Sequence, residues 1–139
     1  MPPTVTLRTF DWPDYEAVVA LWQTVGLRLT VSDSRAALAA TLDHAADLFV
    51  VADADGQIMG AVLGTFDGRR GWLHHLAVAP AWQGHGVGRR LVAEVEARLR
   101  THGCAKINRH VEPDNVDVAG FYDRIGYMRR ELVFMEKWL

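Results

Sequence analysis

The 139-residue chain has a single cysteine, Cys104, and no apolar run long enough to cross a membrane. One cysteine excludes an internal disulfide and is typical of proteins that fold in a reducing cytosol. A membrane-spanning helix needs about 20 predominantly apolar residues in a row. The first residues, Met-Pro-Pro-Thr, carry neither a basic stretch nor an apolar one, so we expect no secretory signal. We therefore expect a cytoplasmic protein that does not insert into membranes.

An excess of positive charge is also missing, since 15 Lys and Arg residues face 17 Asp and Glu residues, for a net charge of −2. Broad nucleic-acid binding depends on a basic face, and we do not expect it. No cysteine and histidine spacing typical of a metal site is visible. His74 and His75 are adjacent, and adjacent side chains of a strand point to opposite faces. Half of the residues are apolar, which suits one domain spanning residues 1–139.

What the chain does have is a glycine-rich segment. Residues 83–90 read Gln-Gly-His-Gly-Val-Gly-Arg-Arg, between an apolar run at 76–78 and a helical pattern. Glycines let a ligand approach the backbone, and the N-terminus of a helix presents unpaired N–H groups with the positive end of its dipole. Arg89 and Arg90 oppose that dipole, which favours an anionic ligand over two solvated arginines. The segment predicts a phosphate-binding site; the alternative is a turn that only begins a helix.

The glycine spacing excludes two common phosphate loops. A Walker loop requires Gly-x-x-x-x-Gly-Lys followed by Ser or Thr, and a dinucleotide fingerprint requires Gly-x-Gly-x-x-Gly. Here the glycines run Gly84-x-Gly86-x-Gly88. With Gln83 they form Gln-x-x-Gly-x-Gly, which resembles the pyrophosphate-binding signature of the GNAT acetyltransferases, a family that binds acetyl-coenzyme A.

A second motif lies downstream. GNAT chains commonly carry Asn-x-x-Ala-x-x-(Phe/Leu)-Tyr-x-x-x-Gly-(Phe/Tyr). The matching positions here are Asn115, Val118, Phe121, Tyr122, Gly126 and Tyr127, with valine in place of alanine. The segments at 104–107 and 113–115 most resemble the small bacterial YpeA-like branch. The resemblance covers residues 47–139 well and the first 45 residues loosely.

The resemblance implies an α/β fold: a mixed, mostly antiparallel sheet of about six to seven strands flanked by about four helices, with splayed strands at the cofactor cleft. Periodicity and turn residues predict strands over 4–10, 48–52, 57–66, 71–79, 105–111 and 127–134, with a hairpin turn at 53–56. They predict a helix that begins near residue 11, with an apolar stripe at Val18, Leu21, Trp22 and Val25, and one that begins near residue 34, with Ser34 as its N-cap. They also predict a helix over 86–103 that buries Leu91, Val92, Val95 and Leu99, and a helix over 115–125.

The resemblance also implies a binding site for acetyl-coenzyme A, the expected co-substrate. The pyrophosphate is expected to contact the turn and the helix start, at Gln83, Gly84, His85, Gly86, Val87, Gly88 and Arg89. The main chain of Leu76, Ala77 and Val78 is expected to bind the pantetheine arm. Asn115 is expected to contact the cofactor, to cap its own helix, or to do both.

For the chemistry, the resemblance implies that Tyr122 protonates the departing coenzyme A thiolate; the alternative is a packed aromatic ring. The candidate general bases are His75, His74 and Glu112, because a histidine titrates near neutral pH and Glu112 ends the next predicted strand. A water relay is the alternative for an acceptor that is easily deprotonated. A bulge that the family carries in the strand of His74 and His75 would undo the alternation of their side chains.

The expected reaction is direct transfer of an acetyl group to a primary amine of a small molecule or peptide, in a ternary complex. One alternative is a protein α-amine, in a groove built by residues 11–45; another is a non-catalytic module that binds coenzyme A.

Arg109 departs from the apolar residue usual in relatives. We expect it to pair with Glu112 or Glu131, or to line the acceptor pocket and recognise a carboxylate or phosphate. Homodimer formation stays open, and Trp12, Trp22 and Trp72 are assigned either to the core or to an aromatic acceptor site.

Overall fold

The computed structural model describes residues 4–113 and 115–139. Its strands are β1 (Val5–Thr9), β2 (Phe49–Ala54), β3 (Gln57–Phe66), β4 (Gly71–Val78) and β5 (Ile107–Arg109). Its helices are α1 (Tyr15–Thr24), α2 (Arg35–Ala45), α3 (Val87–Thr101) and α4 (Val116–Arg124). The chain divides into two compact units, with the boundary between Arg109 and His110, and each unit is described by itself. That residues 1–139 form one domain stays a prediction.

The first unit is built on a mixed sheet with the strand order β1-β2-β3-β4-β5. The first four strands pair antiparallel, and β5 pairs parallel to β4. The predicted α/β class with a mostly antiparallel sheet is confirmed, and so are the four helices. The described residues form five strands rather than six or seven, and β5 is three residues long where 105–111 was predicted.

The hairpin between β2 and β3 turns in two residues, Asp55 and Gly56, rather than in the four that were predicted. Their φ angles are 52° and 85°, and two successive positive φ angles are typical of the type I′ turn that joins antiparallel strands. The Gly56 N–H donates to Oδ1 of Asp53 at 2.7 Å. The turn was therefore placed correctly, but β2 extends two residues further than predicted, to Ala54, while β3 begins at Gln57 as predicted.

One face of the sheet is covered by α1 and α2. The buried residues on this side form a cluster: Phe10, Val18, Leu21, Trp22, Leu38, Phe49, Val51, Ala61, Leu63 and Ala77. The apolar stripe predicted for α1 is confirmed at Val18, Leu21 and Trp22. The helix itself begins at Tyr15 because Trp12–Asp14 forms a 3-10 turn closed by a capping box between Asp11 and Asp14. Ser34 caps α2 as predicted, accepting a hydrogen bond from the Ala37 N–H.

The other face is covered by α3, whose predicted apolar positions Leu91, Val92, Val95 and Leu99 are all buried. Glycines in β3 permit this close packing. A Cβ atom at Gly60 would lie 3.0 Å from Cδ1 of Leu91, tighter than an ordinary carbon–carbon contact. The helix therefore lies close against the strand and fixes where its own N-terminus emerges.

The second unit, from His110, contains α4, where a helix over 115–125 was predicted. The strand predicted over 127–134 is wrong, because these described residues form neither strand nor helix. Three consecutive charged residues, Arg129, Arg130 and Glu131, interrupt the period of two that a strand requires. Arg129 instead forms an ion pair with Asp123 at 2.7 Å. None of the helices in the described part of the chain is long and apolar enough to cross a membrane.

Candidate active site

A bulge interrupts β4 where the two adjacent histidines lie. Leu63 of β3 lies opposite His74, and Ala61 lies opposite Ala77. One residue of β3 between these pairs therefore faces two residues of β4, which is the definition of a β-bulge. His75 has a φ of 50°, a left-handed conformation that is uncommon for a residue with a side chain. The bulge changes which residues of β4 face α1 and α2, so the alternation argument against a shared face for His74 and His75 does not hold.

The His75 ring is held by a carboxylate from the 3-10 turn between α1 and α2. Its Nε2 lies 2.8 Å from Oδ1 of Asp33, and both side chains are mostly buried. Oδ2 of Asp33 accepts the Thr30 N–H at 2.8 Å, and the Tyr15 hydroxyl donates to the Asp33 carbonyl oxygen at 2.9 Å. Hydrogen bonds within the turn and from α1 therefore fix Asp33 independently of its contact with the histidine.

The backbone of the bulge is held as well. Nε1 of Trp22 donates to the His75 carbonyl oxygen at 3.0 Å, and the two rings lie 4.8 Å apart, centre to centre. Trp22 is 1% exposed, so it belongs to the core, which is one of the two roles predicted for it. His74 makes a different contact, with its Nε2 3.0 Å from the Thr65 hydroxyl oxygen.

β4 is longer than the stretch over which it pairs with β5. The two strands pair over Gly71–Leu73 and Ile107–Arg109, whereas β4 continues to Val78. On its other edge β4 stays paired with β3 as far as Val78, which lies opposite Gly60. The segment predicted to bind the pantetheine arm, residues 76–78, therefore lies beyond the last residue of β4 that pairs with β5.

Arg109 is the last residue of β5 and lies opposite Leu73 of β4. Its Nη1 donates to the Leu73 carbonyl oxygen at 3.2 Å, and its side chain is partly buried. The sequence predicted an acidic partner or a place in the acceptor pocket for this arginine. A backbone carbonyl of the neighbouring strand was not foreseen, because the partner residue lies 36 positions away in the chain and no local pattern identifies it.

The glycine-rich turn follows β4 and leads into α3. Gly84 and Gly86 both have a φ of 81°, a conformation that glycine adopts without strain. A Cβ atom at either position would meet no described atom within 4 Å, so the ground for glycine is the backbone conformation and not crowding inside the chain. Nε2 of Gln83 donates to the Val78 carbonyl oxygen at 2.9 Å. Gln83 therefore ties the turn back to the end of β4.

At the start of α3, Val87 is buried, with 3% of its surface exposed. The Arg90 N–H donates to the Gly86 carbonyl oxygen at 3.1 Å, so positions 87–89 form the first turn, whose N–H groups have no partner within the helix. His85 and Arg89 are exposed. Nη2 of Arg90 donates to the Val5 carbonyl oxygen at 3.2 Å, a contact with β1 that the phosphate hypothesis did not include.

A groove of about 580 Å³ lies between α2 and the hairpin of β3 and β4. It is lined by polar and aromatic side chains, among them Thr41, His44, Thr65, Phe66 and Trp72. Of the three tryptophans considered for an aromatic acceptor site, Trp72 therefore lines an open groove, Trp22 lies in the core, and Trp12 packs at the surface with its ring centre 5.4 Å from that of Phe10.

In the second unit, Tyr122 is 4% exposed and packs among aromatic rings. Its ring centre lies 5.0 Å from that of Phe121 and 5.1 Å from that of Tyr127. Asn115 occupies the N-cap position of α4, but among the described residues its side chain makes no capping hydrogen bond. The expectation that Asn115 caps its helix is therefore wrong, and its backbone φ and ψ of −90° and 69° differ from the usual extended cap. Glu112 is exposed, and its carbonyl oxygen accepts the Asn115 N–H at 3.0 Å.

Sequence reasoning missed Asp33, although the Thr30-x-x-Asp33 spacing resembles a capping box and could have predicted the turn. It could not have predicted the partner of Asp33, because His75 lies 42 positions away in the chain.

Comparisons with known proteins agree with this geometry. Residues 5–127 match the profile of the acetyltransferase (GNAT) family. An acetyltransferase of Pectobacterium atrosepticum is 35% identical over 133 residues, which cover 96% of this chain and 94% of that protein. An acetyltransferase of Yersinia pestis is 34% identical over the same shares of both chains.

Solved structures share the fold. Ard1 from Thermoplasma volcanium superposes with a TM-score of 0.80 at 22% identity, over 89% of this chain and 82% of that one. The aminoglycoside acetyltransferase AAC(6')-Iy, solved with a bisubstrate analogue of coenzyme A and acetylneamine, gives 0.76 at 19% identity, over 98% and 99%. The two motifs, the fold and the relatives agree, and this protein is an acyltransferase that belongs to the acetyltransferase (GNAT) family.

Proposed function

We propose that this protein transfers an acetyl group from acetyl-coenzyme A to a primary amine, directly and within a ternary complex. The observation that carries the proposal is the glycine turn, with its left-handed Gly84 and Gly86, at the N-terminus of α3. It follows a strand that continues past its pairing with β5. A phosphate group fits the glycine turn at the N-terminus of α3. An extended ligand with amide groups fits the part of β4 beyond its pairing with β5, because strand backbone requires hydrogen-bond partners.

In this proposal the N–H groups of residues 87–89 bind the pyrophosphate, with the positive end of the α3 dipole behind them. The Gln83 side chain donates a hydrogen bond to the Val78 carbonyl oxygen and so stabilises the conformation of the turn. Arg89, which is exposed at the helix start, supplies charge to the phosphates. The main chain of residues 76–78 hydrogen-bonds the pantetheine arm.

The resemblance to the family also suggests roles in acetyl transfer for two residues of the second unit, Asn115 and Tyr122. We propose that the Asn115 side chain contacts the cofactor, since it does not cap its own helix. We propose that Tyr122 is the acid. The amine lone pair attacks the thioester carbonyl carbon, a C–N bond forms and the C–S bond breaks. The sulfur leaves with the electron pair and takes a proton from the Tyr122 hydroxyl, while the nitrogen loses a proton to a base or to solvent.

The acceptor we propose is the primary amine of a small molecule or of a peptide. Aminoglycoside acetyltransferases of the same fold support the small-molecule form. A panel of neamine, a lysine-containing peptide and a peptide with a free alanine N-terminus separates the small-molecule form from side-chain and α-amine acetylation. Release of free thiol reports turnover for each amine.

Calorimetric titration with acetyl-coenzyme A tests the cofactor site, with coenzyme A and NAD as comparison ligands. We expect micromolar binding of both coenzyme A forms and none of NAD. Gly86→Ala is expected to weaken that binding, and Gly56→Ala is the matched control. Gly56 has a φ of 85° and, like Gly86, no described atom within 4 Å of a Cβ, so both changes carry the same backbone strain of about 1–2 kcal/mol. Equal affinity in the two variants, or no binding by the unmodified protein, would overturn the proposal.

A further inference from the structure

We infer that Asp33 and His75 form a proton-accepting pair, in which Asp33 is a positioning residue and His75 takes the proton from the attacking amine. The inference rests on the proposed acetyl transfer and names its base. Four groups of the first unit carry it: the Asp33 carboxylate, the His75 ring, the bulge in β4, and the Trp22 indole.

The first step concerns the tautomer of His75. A carboxylate oxygen accepts hydrogen bonds and donates none, so the 2.8 Å contact between Oδ1 of Asp33 and Nε2 of His75 requires the proton on Nε2. In the neutral ring the lone pair is then on Nδ1. Nδ1 is therefore the atom that accepts a proton. The contact of His74 differs, since the Thr65 hydroxyl both donates and accepts and selects no tautomer.

The second step concerns rigidity. Asp33 cannot rotate freely, because its Oδ2 accepts the Thr30 N–H at 2.8 Å. His75 is fixed at its ring by Asp33 and at its carbonyl oxygen by the buried Trp22, 3.0 Å away. A left-handed residue with a side chain is strained by about 1–3 kcal/mol and persists only where its surroundings impose it, most often at functional sites. The structure thus holds one ring orientation by contacts at both ends of the residue.

The third step concerns position along the strand. His75 directly precedes residues 76–78, the main chain proposed to bind the pantetheine arm that carries the thioester. Its side chain is 24% exposed, so part of the ring is accessible to solvent. A base at this position serves an amine that attacks the carbonyl carbon at the end of that arm.

The proton balance is complete with these groups. As the C–N bond forms, the nitrogen becomes positively charged and gives one proton to Nδ1 of His75, and the imidazolium is stabilised by Asp33. The C–S bond breaks, and the sulfur leaves with the electron pair and is protonated by Tyr122. Solvent returns the proton from the imidazolium to the tyrosinate. The products are the acetamide and free coenzyme A.

The test combines a spectroscopic and a kinetic measurement on His75→Gln, Asp33→Asn and Ser34→Ala. Ser34 adjoins Asp33 and caps α2 through the Ala37 N–H, so Ser34→Ala is a control that loosens the same region and leaves the carboxylate in place. Ring ¹⁵N chemical shifts of His75 report the tautomer. Thiol release with the best amine of the panel gives kcat and KM, and calorimetry gives the affinity for acetyl-coenzyme A.

We expect a His75 ring protonated at Nε2 in the unmodified protein and in Ser34→Ala, and a mixture of tautomers in Asp33→Asn. We expect kcat to fall about 100-fold or more in His75→Gln and about 10- to 100-fold in Asp33→Asn, with unchanged affinity for acetyl-coenzyme A. A ring protonated at Nδ1, or an unchanged kcat in His75→Gln, would overturn the inference alone. Absence of cofactor binding or of turnover in the unmodified protein would instead overturn the proposed function, and the inference with it.

Discussion

Gly64 of β3 lies directly beneath Val95 of α3, and a Cβ atom at Gly64 would come within 2.6 Å of Cγ1 of Val95. That separation is far below carbon–carbon contact distance. The Leu48 carbonyl oxygen would lie 3.0 Å from the same Cβ atom, so backbone as well as side-chain atoms leave no room for it. The distance between helix and sheet in the first unit is therefore set by a missing side chain.

Gly64→Ala is expected to destabilise the protein by about 1–3 kcal/mol, because the added methyl group forces α3 away from the sheet. Urea denaturation measures the change in the free energy of unfolding. The control is Gly120→Ala in α4, where the nearest described atom is Nη1 of the flexible Arg124 at 3.4 Å. Alanine in a helix interior is expected to stabilise by about 0.4–1 kcal/mol there. Equal effects of the two changes would contradict the packing argument.

A second prediction concerns the ion pairs of Arg8. Its guanidinium lies 2.7 Å from Oδ2 of Asp14 and 3.1 Å from Oδ2 of Asp53, so it joins β1 to β2 and to the turn before α1. The hydrogen bond from Arg8 lowers the pKa of Asp14 below its ordinary 3.8. A carboxyl group with a lowered pKa in the folded state stabilises the fold above its unfolded pKa, and this contribution is lost as the pH falls through its folded pKa.

Arg8→Met is therefore expected to lower the free energy of unfolding by about 1 kcal/mol at pH 7, since the partial exposure of Arg8 screens the ion pairs. The difference from the unmodified protein should shrink once the pH falls below 3.8 and through the folded pKa of Asp14. Thermal unfolding across that pH range measures it. Arg129→Met removes an exposed ion pair with Asp123 and should leave stability unchanged. A deficit for Arg8→Met that persists in strong acid would rule out this linkage.

The third prediction separates the two roles once open to Asn115. Because its side chain does not cap α4, Asn115→Ala is expected to leave the free energy of unfolding unchanged and to weaken acetyl-coenzyme A binding, by about 10-fold for a lost hydrogen bond. Ser34→Ala should do the reverse. It loses a capping bond and about 1 kcal/mol of stability at constant affinity. Loss of stability without loss of affinity in Asn115→Ala would return that residue to a capping role.

The sequence predicted those parts of the fold that repeat. Helix α3 was predicted from the spacing of Leu91, Val95 and Leu99, and all three are buried, because a period of 3.6 needs no knowledge of the partner surface. The Gln-x-x-Gly-x-Gly motif marked the turn before that helix for the same reason: local backbone conformation restricts local residue choice. Capping by Ser34 was equally local.

What the sequence could not predict depends on long-range contacts or on a single irregularity. A bulge in this strand was expected from the family resemblance, but its position was not, so the orientation of His74 and His75 stayed undetermined. The Asp33 partner lies 42 positions from His75, and no pattern joins them. The strand predicted at 127–134 is not formed by these described residues, and the charged triplet Arg129-Arg130-Glu131 breaks the alternation that a strand requires. The contact of Arg109 with the Leu73 carbonyl oxygen likewise joins residues 36 positions apart.

The last prediction tests whether the Tyr122 hydroxyl takes part in the chemistry. Tyr122→Phe keeps the ring that packs against Phe121 and Tyr127, so the fold and the cofactor affinity should stay unchanged. If the hydroxyl protonates the departing thiolate, kcat should fall about 100-fold or more while KM for the amine changes little. Tyr127→Phe removes a hydroxyl from the same aromatic group and should keep full kcat. Thiol release under saturating acetyl-coenzyme A measures both variants. Full activity in Tyr122→Phe would show that solvent protonates the sulfur, and the tyrosine would then be retained for packing.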